Sequence, residues 1–185
     1  MGLDMMLHKK HYVRSREDDK PEVKIEVTAT KGGKPIKGID FSKVIYLEED
    51  VMYWRKANAI HAWFVRETQN GEDNNGEESS VYPEQMKELL AICERIIAEC
   101  PLVEGKVKNG SHLEGGKWID NMEDGKVMTN TALAEELLPT QSGFFFGGTD
   151  YDEYYMHDII ETRDMLKREL AIEDNRADYY YHSSW

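Results

Sequence analysis

Two hydrophobic rhythms run along this chain, and they divide it into elements. Leu3, Met5 and Leu7 alternate with Asp4, Met6 and His8, a period of two that predicts a first strand over residues 3–8. Val23, Ile25, Val27 and Ala29 alternate with Lys24, Glu26 and Thr28 and predict a second strand with one wet face. Lys31-Gly-Gly-Lys-Pro35 is a turn signal, and Val44-Ile-Tyr-Leu47 reads as a third strand. Residues 48–68 read as a helix that opens on acidic residues, as the helix dipole favours, and closes at Asn70-Gly71. A second helix begins at Pro83. Its stripe of Met86, Leu89, Leu90, Cys93, Ile96, Ile97 and Cys100 is the strongest helical period in the chain, and Pro101 ends it.

The remainder follows the same logic. Residues 70–80 form a solvated acidic loop, and residues 102–128 break into short hairpins at Asn109-Gly110, Gly115-Gly116 and Asp124-Gly125. A short helix over 131–138 stops before Pro139. Thr149 and Asp152 resemble a capping box, and the long helix behind them carries Tyr151, Tyr155, Ile159, Thr162, Leu166 and Leu170 on one face. Residues 178–185 read as a last strand. These elements predict an α+β fold, a single domain over 1–185 with three or four helices packed on a largely antiparallel sheet.

Composition narrows the class. A chain of 185 residues with 40% hydrophobic content supports a packed core rather than disorder. A net charge of −13 argues against nucleic acid and anionic membrane as partners. The acids are interleaved with Lys and Arg, which also argues against an acidic mimic of DNA. No run of about 18 apolar residues occurs and the N-terminal residues lack a signal-peptide pattern, so the expected location is the cytoplasm. Cys93 and Cys100 stand seven residues apart on one expected helix, roughly 10 Å along its axis, too far for a disulfide; they read as buried core thiols.

Residues 137–155 (LLPTQSGFFFGGTDYDEYY) hold the densest concentration of candidate binding chemistry, with three glycines, three consecutive phenylalanines and three tyrosines. Glycine permits close backbone approach, and the aromatics offer apolar faces with polar tips. On the expected helix over 48–68, Tyr53, Ala57, Ile60 and Phe64 form a core stripe. Trp54, Asn58 and His61 lie on the stripe beside it, with Arg55 further round: an aromatic platform, an amide that donates and accepts, and a guanidinium. The candidate ligand-binding residues are therefore Trp54, Arg55, Asn58 and His61 on one wall, and Thr140, Gln141, Ser142, Phe145, Thr149 and Tyr151 on the other. The competing reading makes Asn58 and His61 boundary residues bonded to loop carbonyls. Gly147-Gly148-Thr149 ahead of a helix suits either an anion or ordinary capping.

Catalytic and metal signatures are weaker. No GxSxG or GxxxxGK[ST] motif occurs. Glu153, His157 and Glu161 share a helix face but match no zinc spacing, and Asp120, Asp124 and Gly125 fit an EF-hand loop that Met122 and Thr131 then exclude. His8 and His11, three apart where a strand is expected to run into a basic loop, would not share a face.

Met1-Gly-Leu-Asp-Met5, Tyr53-Trp-Arg-Lys-Ala-Asn-Ala-Ile-His61, Leu138-Pro-Thr-Gln-Ser-Gly-Phe-Phe-Phe-Gly147, Tyr151-Asp-Glu-Tyr-Tyr155 and Tyr180-Tyr-His-Ser-Ser-Trp185 together resemble a family of small, functionally uncharacterised proteins of bacteriophages and prophages. The resemblance brings no catalytic residue and no cofactor with it. It implies a protein that acts on host machinery or host defence. The expected function is non-enzymatic binding of a small nucleotide-like ligand, sequestering a host immune signal. The alternatives are a protein that inhibits a host protein through its acidic loop and aromatic surface, and an enzyme of nucleotide metabolism. A homo-oligomer is compatible with each.

Overall fold

The computed structural model describes residues 2–15, 18, 20–21, 24–173 and 176–185. Its centre is a four-stranded antiparallel sheet built from β1 (Asp4–Tyr12), β4 (Tyr46–Arg55), β5 (Ser79–Val81) and β8 (Asp178–Ser184), in the order β4-β1-β8-β5. The N- and C-terminal strands are the two middle strands, so the chain's ends are fixed by pairing on both sides. Alternation along β1 then sorts the faces: Leu3, Met5, Leu7 and Lys9 turn to one side and are buried, Met6, His8 and Lys10 to the other.

The helices cover the first of those faces. α1 (Asn58–Thr68) presents Ile60, Trp63 and Phe64, and α4 (Glu153–Leu170) presents Tyr155, Ile159, Met165 and Leu166, both buried in one core with Trp54, Tyr179 and Tyr181. The Phe64 and Tyr181 rings stack at 4.0 Å and 7°. α2 (Pro83–Glu99) packs on α4 through Met86, Leu89, Cys93 and Ile96, and α3 (Ala132–Leu137) completes the layer with Ala134. Among the described residues these four helices and their antiparallel sheets make one α+β domain. No described helix is long and apolar enough to cross a membrane.

One buried ion pair sits inside this frame. Lys9 Nζ donates to Glu169 Oε2 at 3.0 Å, the Tyr179 hydroxyl donates to the same oxygen at 3.0 Å, and Glu49 lies 3.4 Å from the ammonium. Burial alone would lower the Lys9 pKa; the Glu169 hydrogen bond and the surrounding carboxylates override it and raise it.

Several expected elements are replaced. The helix expected over 48–68 is strand up to Arg55: residues 46–55 pair with β1 along its whole length, and Lys56, at φ 64°, turns the chain so that α1 starts only at Asn58. The acidic run Glu48–Asp50 that suggested a helix start instead lies on an edge strand, where charge discourages pairing with another chain. A one-residue irregularity between Leu7 and His8 explains why the apolar residues of β4 follow no clean period of two. Residues 24–29 form no strand and stay largely exposed, and Val23 lies outside the described residues. The sequence 30–35 closes as a miniature hairpin, β2 (Thr30–Lys31) with β3 (Lys34–Pro35).

Residues 102–128 form one long hairpin, β6 (Leu102–Glu114) and β7 (Lys117–Met128), with its turn at Gly115-Gly116. Asn109-Gly110 is a bulge in β6, and Gly105 and Gly125 oppose each other across the ladder. The base of this hairpin is tied to the start of α4, where Met128 N donates to Tyr151 O and Val127 bridges Asp152. Asp152, not Thr149, caps α4; its Oδ1 accepts from the Tyr154 and Tyr155 amides.

Candidate functional site

Asn58 opens α1 and is buried. Its Nδ2 donates to Phe146 O at 3.0 Å and Gly148 O at 2.7 Å, and its Oδ1 accepts from Gln141 N at 2.8 Å. One amide thus fixes both limbs of the 139–150 loop against the helix. The loop's glycines serve this packing. Gly147 has φ 89°, and a Cβ there would stand 3.0 Å from the Lys56 Cβ, so the two backbones meet only with glycine. At Gly143 a Cβ would strike the Phe146 ring at 2.7 Å. The three phenylalanines divide: Phe146 is buried against His61 and Trp185, Phe145 is half-buried, and Phe144 is 95% exposed.

His61 is fully buried. Its Nδ1 lies 2.8 Å from the Tyr181 hydroxyl and its Nε2 3.0 Å from Asp73 Oδ2, which also accepts from the Trp185 indole at 2.9 Å. Burial lowers the His61 pKa despite the Asp73 charge. A neutral ring beside a carboxylate that can only accept must carry its proton on Nε2, leaving Nδ1 to accept from Tyr181. Asp73 belongs to the acidic 70–80 loop, so that segment is anchored inward at this point, as it is where Gly76 N donates to Ser183 O. Trp54, expected beside Asn58 and His61 on a helix, is instead buried on β4 and donates to Thr162 Oγ1 at 2.9 Å.

On the solvent side of the Asn58 staple lies a cleft of about 750 Å³. Arg55, Lys56, Asn58, Ala59 and Ile60 form its floor at the mouth of α1, and Lys108, Asn109, Gly110 and Asp120 of the hairpin form one wall. Thr140 and residues 147–150 form the lip, and Asp152, Tyr154, His157 and Asp158 of α4 close the far side. Four of the ten candidate residues therefore line one cleft: Arg55, Asn58, Thr140 and Thr149. Tyr151 lines a neighbouring hollow of about 300 Å³ that shares Lys108, Asp120, Asp150 and Asp152. Gln141 contributes its amide to the staple, Ser142 is exposed, and Trp54, His61 and Phe145 do not line the cleft.

The cleft carries charge of both signs. The cations are Arg55, 3.9 Å from Asp4, Lys56, and Lys108, 2.7 Å from Asp120. α1 begins beside them with Ala57 as its N-cap, so no side chain caps its first-turn amides. Asp120, Asp150, Asp152 and Asp158 line the same cleft. Burial, with Glu161 and Asp152 nearby, pushes the Asp158 carboxyl up to about 7, and among the described residues no hydrogen bond to that carboxyl is formed. Near neutral pH it can therefore donate or accept a proton. Asp152 is also raised, mainly by burial, against the pull of its two amide donors.

Lys108, Asp158 and Lys56 escape sequence reasoning, although Asp158 carried a signal. It falls three residues after Tyr155 and four before Thr162, an acid beside the buried face of an amphipathic helix and itself half-buried. The expected trio Glu153, His157 and Glu161 reduces to one contact, His157 to Glu161 at 3.5 Å. Asp120 and Asp124 are strand residues of β7, paired with Lys108 and Lys106. Both cysteines are buried in the helical layer, and burial holds the Cys93 thiol up at about 12, which makes it a poor nucleophile. No family model, no curated protein and no solved structure matches the chain.

Proposed function

We propose that the protein binds a small nucleotide-like ligand in the cleft at the mouth of α1. The carrying observation is the gathering of charge of both signs within one concave site. Arg55, Lys56 and Lys108 line it with the uncapped start of α1, and Asp120, Asp150 and Asp158 line it as well. A purely anionic ligand would meet those carboxylates, whereas a ligand with a phosphate at one end and hydroxyl or amino donors at the other suits both groups. Tyr154, half-exposed on the far side, offers a ring on which a base can lie. The resemblance to phage proteins adds the rest of the proposal: the ligand is a host signalling nucleotide and the task is to sequester it.

The test is a thermal-shift panel of nucleoside monophosphates and diphosphates against their parent nucleosides. The proposal expects stabilisation by at least one phosphorylated compound, none by its nucleoside, and recovery of the compound unchanged after incubation. Turnover of the compound would replace sequestration with catalysis, and a flat panel would remove the nucleotide reading.

A second reading rests on the far end of the hairpin. Leu113 and Trp118 are cross-strand partners there, 63% and 74% exposed, with Met122 also exposed on β7. A solvent-facing apolar pair of this kind suits a protein partner. Capture of a host protein by the wild type but not by Leu113→Ser/Trp118→Ser would favour inhibition of that protein. Equal capture by both would remove the hairpin end as the epitope.

A further inference from the structure

On the sheet face turned away from the helices, the central sheet brings three metal-ligating side chains together, with a second histidine packed beside them. His8 of β1 is 3% exposed. Its Nε2 stands 3.2 Å from Glu78 Oε1, on the residue that leads into β5, and 3.6 Å from Glu48 Oε1 of β4. These three atoms all lie within 4.8 Å of one another. His182 of β8 packs edge-on against His8 at 5.5 Å between ring centroids, and its Nδ1 is buried without a hydrogen-bond partner.

The His8 contacts are not those of an ordinary ion pair. Nε2 is buried and forms no hydrogen bond: the Glu48 oxygen, at 3.6 Å, is too far, and the Glu78 oxygen, at 3.2 Å, lies off the direction an N–H would take. A neutral Nε2 lone pair facing two carboxylates is repulsive, and an off-axis N–H wastes the donor. A cation between the three atoms resolves both problems. Ligand atoms held about 2.0–2.2 Å from a zinc ion at tetrahedral angles lie about 3.3–3.6 Å from one another. The two His8 separations bracket that range.

The surroundings fit the same reading. Glu78 turns Oε1 to His8, while its Oε2 accepts from Lys10 Nζ at 2.6 Å. One oxygen is thus left for a metal and the other is held by an outer partner. Tyr180 stacks on the His8 ring at 5.8 Å and shields it from water, and Lys10 Nζ sits 4.6 Å over the same tyrosine.

We propose that His8, Glu48 and Glu78 form a binding site for one zinc-type divalent transition cation, with a fourth position left for water. Imidazole and carboxylate donors suit that class, and two carboxylates balance its charge. β1, β4 and the residue leading into β5 contribute one ligand each, so the ion would clip both edge strands to β1.

The test is calorimetric titration of Zn²⁺ into chelator-treated protein, alongside Co²⁺ absorption to report coordination geometry. The expected result is one saturable site per chain, a tetrahedral Co²⁺ spectrum, and a rise in Tm with bound metal. Glu78→Gln and His8→Gln should each weaken binding at least tenfold, with His112→Gln, on the exposed hairpin, leaving it unchanged. Glu78 is itself exposed, so Glu78→Gln decides the matter even where His8→Gln fails to fold. No saturable site, or a site that survives Glu78→Gln undiminished, would overturn the assignment.

Discussion

The Asn58–His61 region and the cleft beside it share a helix terminus and are rich in polar groups, yet they have been built to opposite ends. At Asn58 and His61, side-chain donors and acceptors meet fixed partners in other segments: two carbonyls and an amide for Asn58, a tyrosine and an aspartate for His61. In the cleft, Asp158 has no hydrogen bond to its carboxyl among the described residues, and Arg55 has a single distant carboxylate. A saturated buried polar network specifies structure; polar groups held toward open space are free to meet a ligand. The sequence places Asn58, His61 and Arg55 within seven residues, where nothing local separates the two roles. Distinguishing them requires the hydrogen-bond partners.

The largest effect that sharpens this contrast is on folding. Asn58→Ala removes three hydrogen bonds and leaves loop groups unmatched, which should cost about 3 kcal/mol in urea denaturation. A loss no larger than that of an exposed substitution would mean the staple is dispensable.

His61 comes next, through pH. Its folded pKa lies below the ordinary 6.5, so on acidification the unfolded chain takes up the proton first. Its contribution is therefore complete above about pH 6.5 and declines as pH falls toward the folded value, by about 1.4 kcal/mol for each tenfold difference in proton affinity between the unfolded and folded chain. His61→Gln should flatten that part of the stability profile, and an unchanged profile would remove the buried neutral ring from the account.

Asp158 behaves in the opposite sense. Its folded pKa, about 7, lies above the ordinary 3.8, so the cost of its charge grows as pH rises between those values. Asp158→Asn should gain stability on the wild type progressively across that window, with no further gain above pH 7. The smallest effect on folding belongs to Arg55→Ala with Lys108→Ala, within about 0.5 kcal/mol each, since both side chains are exposed. Circular dichroism melts check both expectations.

How far the sequence carried this picture depended on whether local pattern or distant partners decided the structure. The α2 stripe and the Tyr155–Leu166 face were legible because helical period and burial agree there. Residues 48–55 were not, because nine residues of pairing with β1 outweigh an acidic run that favours a helix start. The alternation at 24–29 has no strand partner to use it. Three glycine-containing turn signals in 102–128 looked equivalent, yet one became a turn, one a bulge and one a cross-strand glycine pair. In the site, Arg55, Asn58, Thr140 and Thr149 do converge, although Arg55 arrives on a strand rather than on the helix. Lys108 reaches the cleft only because the hairpin base is tied to the start of α4, a pairing with no local signature.

The most direct measurement is native mass spectrometry of the protein purified from a bacterial host, wild type beside Arg55→Ala/Lys108→Ala, with denaturation to release and weigh whatever is carried. A cleft that holds a nucleotide-like ligand predicts an intact phosphorylated compound released from the wild type and at least tenfold less from the double variant. The same compound retained in equal amount by both proteins would contradict the cleft as its site.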